Sequence, residues 1–244
     1  MKSEESADAI EKGKNKNMKI TICACSSRTF IDCAEVAKVA AAAQKAGIEV
    51  TLLSDLCELC ENKSETVHEI AKTTIVACYP RAVKSLMAFA GEDDVHSLNL
   101  RSQTADEVLA ALGVQSAQVS PEETEKWMAQ MEAMPQHLGD DAWYPTLDKD
   151  VCAECGKCLE FCPFGVYEMV NDRVTVVHPH HCKNNCPACA RTCPASAIIF
   201  PKYDRSPING GETKQESAIQ LDTKELYAQT LRERLASRKL RLKD

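Results

Sequence analysis

The 244-residue chain has no stretch approaching eighteen uncharged apolar residues, which is what a membrane-crossing helix requires. Its first seventeen residues, MKSEESADAIEKGKNKN, are polar and of mixed charge, without the apolar run of a signal peptide. A cytoplasmic chain, neither exported nor membrane-spanning, is therefore expected. Glycine is scarce, with nine residues at 13, 47, 91, 113, 139, 156, 165, 210 and 211. None forms G-x-G-x-x-G or a P-loop after a strand, so no bound flavin or nucleotide is expected. Positive charge is in deficit, 29 Lys and Arg against 36 Asp and Glu for a net −7, and no basic stripe marks the part expected to fold. That excludes the electrostatic footprint of a nucleic-acid binder. No Ser-His-Asp set or carboxylate pair falls into a pattern that can be placed in one cleft, and no catalytic residue is assigned.

What the chain has in excess is cysteine, 14 residues, against a hydrophobic fraction of 44% that suffices for a core. In a reducing compartment thiols seldom form structural disulfides, so this load points to metal or redox chemistry. Six cysteines lie between residues 23 and 78 and eight between 152 and 193, with 73 cysteine-free residues between the groups. Two cysteine-bearing modules are implied.

From Met18 the pattern alternates strand-like and helix-like segments: KITICAC, FIDCAEVAKVAAAAQKAG, IEVTLLSD, KSETVHEIAK, TTIVACYP, RAVKSLMAFAG and VHSLNLR, closed by the helical TADEVLAALG. Strand alternating with helix predicts a parallel sheet wrapped by helices over 18–115. Residues 1–17 read as a disordered tail, 116–147 as a linker with one helix, and 148–205 as the second module. Over 206–244 a loop precedes a helix with Leu226, Leu231 and Leu235 on one side. The fold class expected is an α/β parallel-sheet N-terminal domain plus a small α+β domain.

In the second module, residues 152–163 read C-A-E-C-G-K-C-L-E-F-C-P and residues 182–194 read C-K-N-N-C-P-A-C-A-R-T-C-P. The repeat of three close thiolates and a fourth before proline suggests an internal duplication. A loop with two residues between cysteines can wrap three corners of a cubane and aim backbone N–H groups at its sulfides, while the fourth ligand must come from elsewhere. Pro163 and Pro194 suit the first turn of a helix and steer the chain away, towards the apolar strands VYEMV and AIIF. Zinc takes four ligands, commonly as two separated pairs, and does not call for eight. The C-x3-C-x2-C string at 182–189 matches the radical S-adenosylmethionine signature, but only 51 residues follow Cys193, too few for the barrel such enzymes need.

Residues 148–203 resemble the bacterial-type ferredoxins with two [4Fe-4S] clusters. The resemblance implies that Cys152, Cys155, Cys158 and Cys193 bind one cluster and that Cys182, Cys186, Cys189 and Cys162 bind the other. The second run has three residues, Lys183, Asn184 and Asn185, where the usual spacing has two, so a bulged loop is expected.

On the parallel-sheet reading, Cys23 and Cys25 end the first strand, Cys57 and Cys60 follow the second, and Cys78 ends the third, so five thiols converge on the edge where open α/β sheets bind ligands. Ser26 and Ser27 are N-cap candidates for the next helix, and Arg28 and Arg81 add positive charge beside the crevice. The strings ICAC, LCELC, VACYPR and LNLRSQ, over about residues 18–105, are similar to the N-terminal segment of the flavin-binding subunit of heterodisulfide reductases. Ser26 and Thr104 stand where that family often has glycine and cysteine. The similarity implies a third [4Fe-4S] cluster on Cys23, Cys25, Cys60 and Cys78, with Cys57 as the alternate to Cys60. The residues themselves also admit a dithiol/disulfide pair such as Cys57 with Cys60, or buried structural thiols, the class to which Cys33 belongs. His68 and the histidines of the HPHH run at 178–181 are expected to be surface residues.

The function expected is an iron–sulfur electron-transfer subunit with two clusters and an open question over a third. It would be docked through its acidic surface and C-terminal helix onto a larger, flavin-containing, heterodisulfide reductase-like oxidoreductase. The competing expectation is an enzyme that reduces a disulfide or small molecule in the N-terminal crevice. A cluster-based sensor lacks a DNA-binding element to support it.

Overall fold

The computed structural model describes residues 18–114, 119–136 and 141–212. The tail over 1–17 and the helix expected near the C-terminus lie outside the described residues.

Four short segments, Lys19–Cys23 (β1), Glu49–Leu53 (β2), Thr74–Ala77 (β3) and His96–Asn99 (β4), the first three with β-branched residues, form an all-parallel sheet in the order β2-β1-β3-β4. Ile20 lies opposite both Val50 and Thr74. The period of two decides which core each residue joins. Ile20, Ile22 and Val76 face one side of the sheet, while Cys23, Ile75 and Ala77 face the other.

The first side is covered by Cys33–Lys45 (α1); Leu56–Glu61 (α2), Thr66–Ala71 (α3) and Pro80–Ala90 (α4) cover the second side, and Ala105–Ala111 (α5) and Pro121–Glu132 (α6) return to the first. In α1 Val36, Ala37 and Val39 to Ala43 are all buried, because small side chains let this helix lie between the sheet and α6. The cap of α1 is Asp32, whose carboxylate accepts from the Ala34 N–H at 2.8 Å, and not Ser26 or Ser27 as expected. Seven residues separate the C-x-C turn from the helix, so a local polar group at its own N-terminus takes the role. Thr104 and Ser120 begin α5 and α6 with capping boxes closed by Glu107 and Glu123. Helix α2, which contains LCELC, was not evident from periodicity because its six residues are too few for a 3.6-residue pattern to show. The stretch expected as a linker is partly core: Trp127 and Met131 of α6 are buried with α1.

The C-terminal unit has its own core of Val166, Tyr167, Val174, Val176, Ile198 and Phe200. Thr146–Leu147 (β5) pairs antiparallel with Ile198–Ile199 (β8), and Tyr167–Val170 (β6) forms a hairpin with Arg173–Val176 (β7). Between them lie two five-residue helices, Lys157–Phe161 (α7) and Ala188–Thr192 (α8). The VYEMV strand contributes less core than expected. Only Tyr167 of β6 is buried, and Met169 and Val170 are exposed, since a two-stranded ribbon covers one face only.

Consecutive residues join the units: Trp143 packs into the C-terminal core and Tyr144 into the α/β core. Arg81 on α4 binds Asp148 at 2.5 Å and donates to the Ser196 and Pro207 carbonyls. Gly210 lies against α4 so closely that an added Cβ would stand 2.6 Å from the Ala82 Cβ and 2.8 Å from its backbone N, at a φ of +87° that also disfavours a side chain.

Two stability changes are expected. Gly210→Ala loosens this seam at a cost of about 1–3 kcal/mol, read as a lowered thermal midpoint. Trp127→Ala costs about 3–5 kcal/mol if α6 is core, and an unchanged midpoint would return α6 to the status of a linker.

Candidate metal centres

Cys23 closes β1 and remains buried beside α2, where its sulfur accepts from the Leu56 N–H at 3.4 Å. Cys25 takes a left-handed φ of +57°, which breaks the strand alternation and carries it to the other core. Asp55 caps α2 by accepting from the Cys57 N–H at 2.9 Å, which fixes Cys57 in the first turn. Cys78 follows β3 at the start of α4, whose Pro80 stands in the first turn. These four cysteines line one cavity at the C-terminal end of the sheet, beside β1 and β3, the pair at which the strand order reverses. Cys60, placed by the sequence ahead of Cys57 in this set, does not line it. Its thiol, nearly one turn further along α2, meets the Met87 sulfur of α4 at 3.9 Å instead. Cys33 is half-buried on α1, near the Arg28 guanidinium at 3.8 Å, and away from the cavity.

In the C-terminal unit each cysteine run passes through a tight loop, enters a five-residue helix at its third cysteine, Cys158 or Cys189, and leaves it at the fourth. Cys162 and Cys193 are the C-caps, with φ and ψ of −82° and 111° and of −74° and 114°. A proline disfavours the helical conformation in the residue before it, so Pro163 and Pro194 end α7 and α8. They do not open the following helix, as the sequence had suggested. Glu154, Gly156 and Asn185 have positive φ, which folds the loops back on themselves. The additional residue of the second run is taken up in a turn closed by the Cys186 N–H and the Lys183 carbonyl at 3.1 Å. Cys152, Cys155, Cys158 and Cys193 line one cavity, and Cys162, Cys182, Cys186 and Cys189 line another. Each cavity therefore takes three thiols from one run and one from the other.

The three cavities are of similar size, and each is open in part to solvent. Among the described residues, no three potential ligands converge on a point that would hold a single metal ion. Hydrogen bonds already aim at the sulfurs: the Tyr167 hydroxyl donates to Cys189 at 3.1 Å, and the Ala197 N–H to Cys193 at 3.3 Å. A fourth, polar cleft, lined by Glu58, Glu61, Asp141 and His180, holds only Cys182.

Burial, reinforced by neighbouring thiols, pushes Cys182 up to about 12, and burial likewise pushes Cys78 and Cys189 up to about 12 and Cys158 to about 11. Cys23 and Cys57 rise well above the usual thiol value, through burial first, with Cys25 adding to Cys23 and Asp55 to Cys57. Without a cationic centre these groups hold their protons, and a core that ligates them must displace those protons.

Neither arginine expected beside the N-terminal crevice lines the cavity. Arg28 donates to the Met131 carbonyl and Arg81 crosses to the C-terminal unit. The positive charge in the lining is Lys202, just beyond β8, which sequence reasoning missed because its partners are more than 60 residues away. The histidines of the HPHH run lie on a 3₁₀ turn over Pro179–His181, where His178 stacks on His181 and His180 pairs with Glu61 at 3.2 Å.

Residues 144–194 match the family model of the 4Fe-4S dicluster domain. An uncharacterized ferredoxin of Methanocaldococcus jannaschii is 48% identical over 63 residues, which cover 25% of this chain and 43% of the relative. A ferredoxin of Methanothermococcus thermolithotrophicus is 38% identical over 55 residues, 22% of this chain and 90% of the relative. A pyruvate synthase subunit of Methanothermobacter marburgensis is 39% identical over 54 residues, 22% of this chain and 60% of the relative. No helix among the described residues is long and apolar enough to cross a membrane. Two cavities each lined by four thiols and this sequence similarity coincide in one segment, and the chain belongs to the ferredoxin family of iron–sulfur electron-transfer proteins, carrying a 4Fe-4S ferredoxin-type domain beside a parallel-sheet α/β region.

Proposed function

We propose that the protein is a three-cluster electron relay. Cys152, Cys155, Cys158 and Cys193 hold one [4Fe-4S] cluster, Cys182, Cys186, Cys189 and Cys162 a second, and Cys23, Cys25, Cys57 and Cys78 a third. The observation that carries this reading is the recurrence of one arrangement, four cysteines lining one cavity of similar size, in three places. When bound, such a cluster takes up and gives back a single electron. Four thiolates saturate its corners and leave no open position for substrate chemistry.

The order of the relay follows from packing. Cys182 touches both the α/β core and the C-terminal core, and Tyr144, whose hydroxyl donates to the Cys57 carbonyl at 2.8 Å, precedes Pro145 in the wall of the second cavity. The second cluster is thus the middle station between the N-terminal site and the first. The resemblance of residues 18–105 to the heterodisulfide reductase segment supports the N-terminal site. The likeness to a pyruvate synthase subunit supports work as a subunit or partner of a larger oxidoreductase, for which we propose a flavin-containing, cytoplasmic complex. Domain limits of 18–115 and 148–205 and an internal duplication of the cysteine runs go with this reading.

The enzyme reading, a dithiol in the N-terminal crevice, is less well supported. The Cys60 thiol lies against Met87 rather than in the cavity that Cys57 lines, and burial pushes Cys60 up to about 12, where an attacking thiolate needs the opposite.

Iron content after anaerobic reconstitution tests the assignment. About twelve irons per chain are expected, falling to about eight in Cys57→Ala and staying at about twelve in Cys60→Ala. Cys155→Ala and Cys186→Ala should each remove or degrade one cluster, and unchanged iron and visible absorbance in both would sink the assignment. Tyr167→Phe removes a hydrogen bond to a ligating sulfur and should lower the potential of the second cluster, measured by spectroscopic redox titration.

A further inference from the structure

The wall of the N-terminal cavity is not made by the N-terminal unit alone. Pro201 and Lys202, which follow the last strand of the ferredoxin-type domain, complete it. Lys202 is 7% exposed, and its ammonium contacts the Asp55 carboxylate at 2.5 Å, the Asp141 carboxylate at 2.9 Å and the Ser26 hydroxyl at 3.2 Å. Asp55 and Ser26 are 1% and 0% exposed. Ser26 donates its one proton to the Asp55 carboxylate and accepts from the lysine, while the lysine also serves Asp141, so the three polar side chains round it are satisfied together. The backbone on either side of Lys202 is gripped from the opposite unit. Arg101 donates to the Pro201 carbonyl at 2.5 Å and to the Tyr203 carbonyl at 2.6 Å, and its guanidinium lies 4.6 Å from the Phe30 ring centre and 5.3 Å from that of Tyr79. Lys202 is the one cationic side chain in the lining, which otherwise holds Asp55, four cysteines and apolar residues.

A lysine is seldom buried, and burial disfavours its charge. Here the surroundings outweigh that cost. The carboxylates of Asp55 and Asp141, both in contact with the ammonium, hold it charged. A fixed positive charge inside a low-dielectric wall acts strongly on any negative charge added nearby. Reduction of a cluster adds one unit of negative charge, so the cation favours the reduced form, and the carboxylate beside it favours the oxidised form.

We propose that Lys202 is a positioning residue delivered across the seam between the units, which sets the reduction potential of the N-terminal cluster against the opposing charge of Asp55. This inference rests on the reading of that cavity as a cluster site. It makes the potential a property of the assembled chain: the ferredoxin-type domain tunes the cluster with which it exchanges electrons, and the tuning exists only while the domains are docked.

The test uses the full chain, anaerobically reconstituted, with iron counted and the potential of the N-terminal cluster followed by electron paramagnetic resonance in a redox titration. The signal of that cluster is identified by its loss in Cys78→Ala. Lys202→Met should shift the ratio of reduced to oxidised cluster at a fixed potential at least tenfold towards oxidised, which is about 59 mV for a one-electron couple. Lys202→Arg should stay within about threefold of the parent. Asp55→Asn keeps an N-cap for α2 while removing the charge, and should shift the ratio the opposite way. The double variant should return towards the parent value.

A merely structural role moves both single variants in one direction, and that result, or an unchanged potential in Lys202→Met at full iron content, overturns the proposal. If Lys202→Met loses the cluster, Asp55→Asn decides: an upward shift supports the tuning and no shift overturns it. About eight irons in the parent chain removes the N-terminal cluster itself and the proposal with it, an outcome separate from failure of the tuning.

Discussion

Burying several thiols round a single space is unfavourable for an apo chain. Each group loses water, and ionising any one of them raises the cost of ionising the next. Twelve of the fourteen cysteines lie in the walls of such spaces, and the surrounding structure is arranged to keep them there. Left-handed residues fold the loops inward, prolines stop α7 and α8 at the fourth cysteine, and Asp55 starts α2 so that Cys57 points to the cavity. The rest of the fold is built round this cost, with apolar neighbours such as Phe30, Ile31, Leu56 and Leu86 sharing the wall of the N-terminal cavity.

The two units compensate by leaning on one another. Lys84 with Asp150 and Lys149 with Asp93 are exposed ion pairs and contribute little. The consequential contacts are the half-buried ones, Arg81 on Asp148 and the Ser196 carbonyl, Arg101 on the carbonyls around Lys202, and Tyr144 in the α/β core beneath Phe89, with ring centres 5.3 Å apart. Arginine suits this work because its planar fork meets several acceptors at once without losing its charge. A seam of this kind fixes the distance between the cavities, which a chain of electron carriers requires.

Much of the architecture could be read from local pattern. Alternation of strand-like segments such as KITICAC and IEVTLLSD with helix-like ones such as FIDCAEVAKVAAAAQKAG announced a parallel α/β unit, and the spacing of the two cysteine runs pointed to cubane ligation. Short elements were harder to read. Helix α2 has six residues, β5 and β8 have two each, and at those lengths periodicity carries no information. The choice between Cys57 and Cys60 was undetermined for the same reason: both belong to one short helix, and only its packing against α4 decides which thiol meets Met87 and which meets the cavity.

The amino-acid sequence by itself determined the chemistry: the number of thiols, their spacing, and the prolines that end each run, all of which act within a few residues along the backbone. Tertiary structure decided which thiols share a space and which charges accompany them. Cys162 and Cys193 each lie in the cavity of the other run, and Lys202 reaches Asp55 and Ser26 across 147 and 176 residues. The cysteine exchange is settled by the folding of one small unit, whereas the Lys202 contacts depend on the docking of whole units, a long-range balance of packing and buried charge that no local stretch of residues encodes.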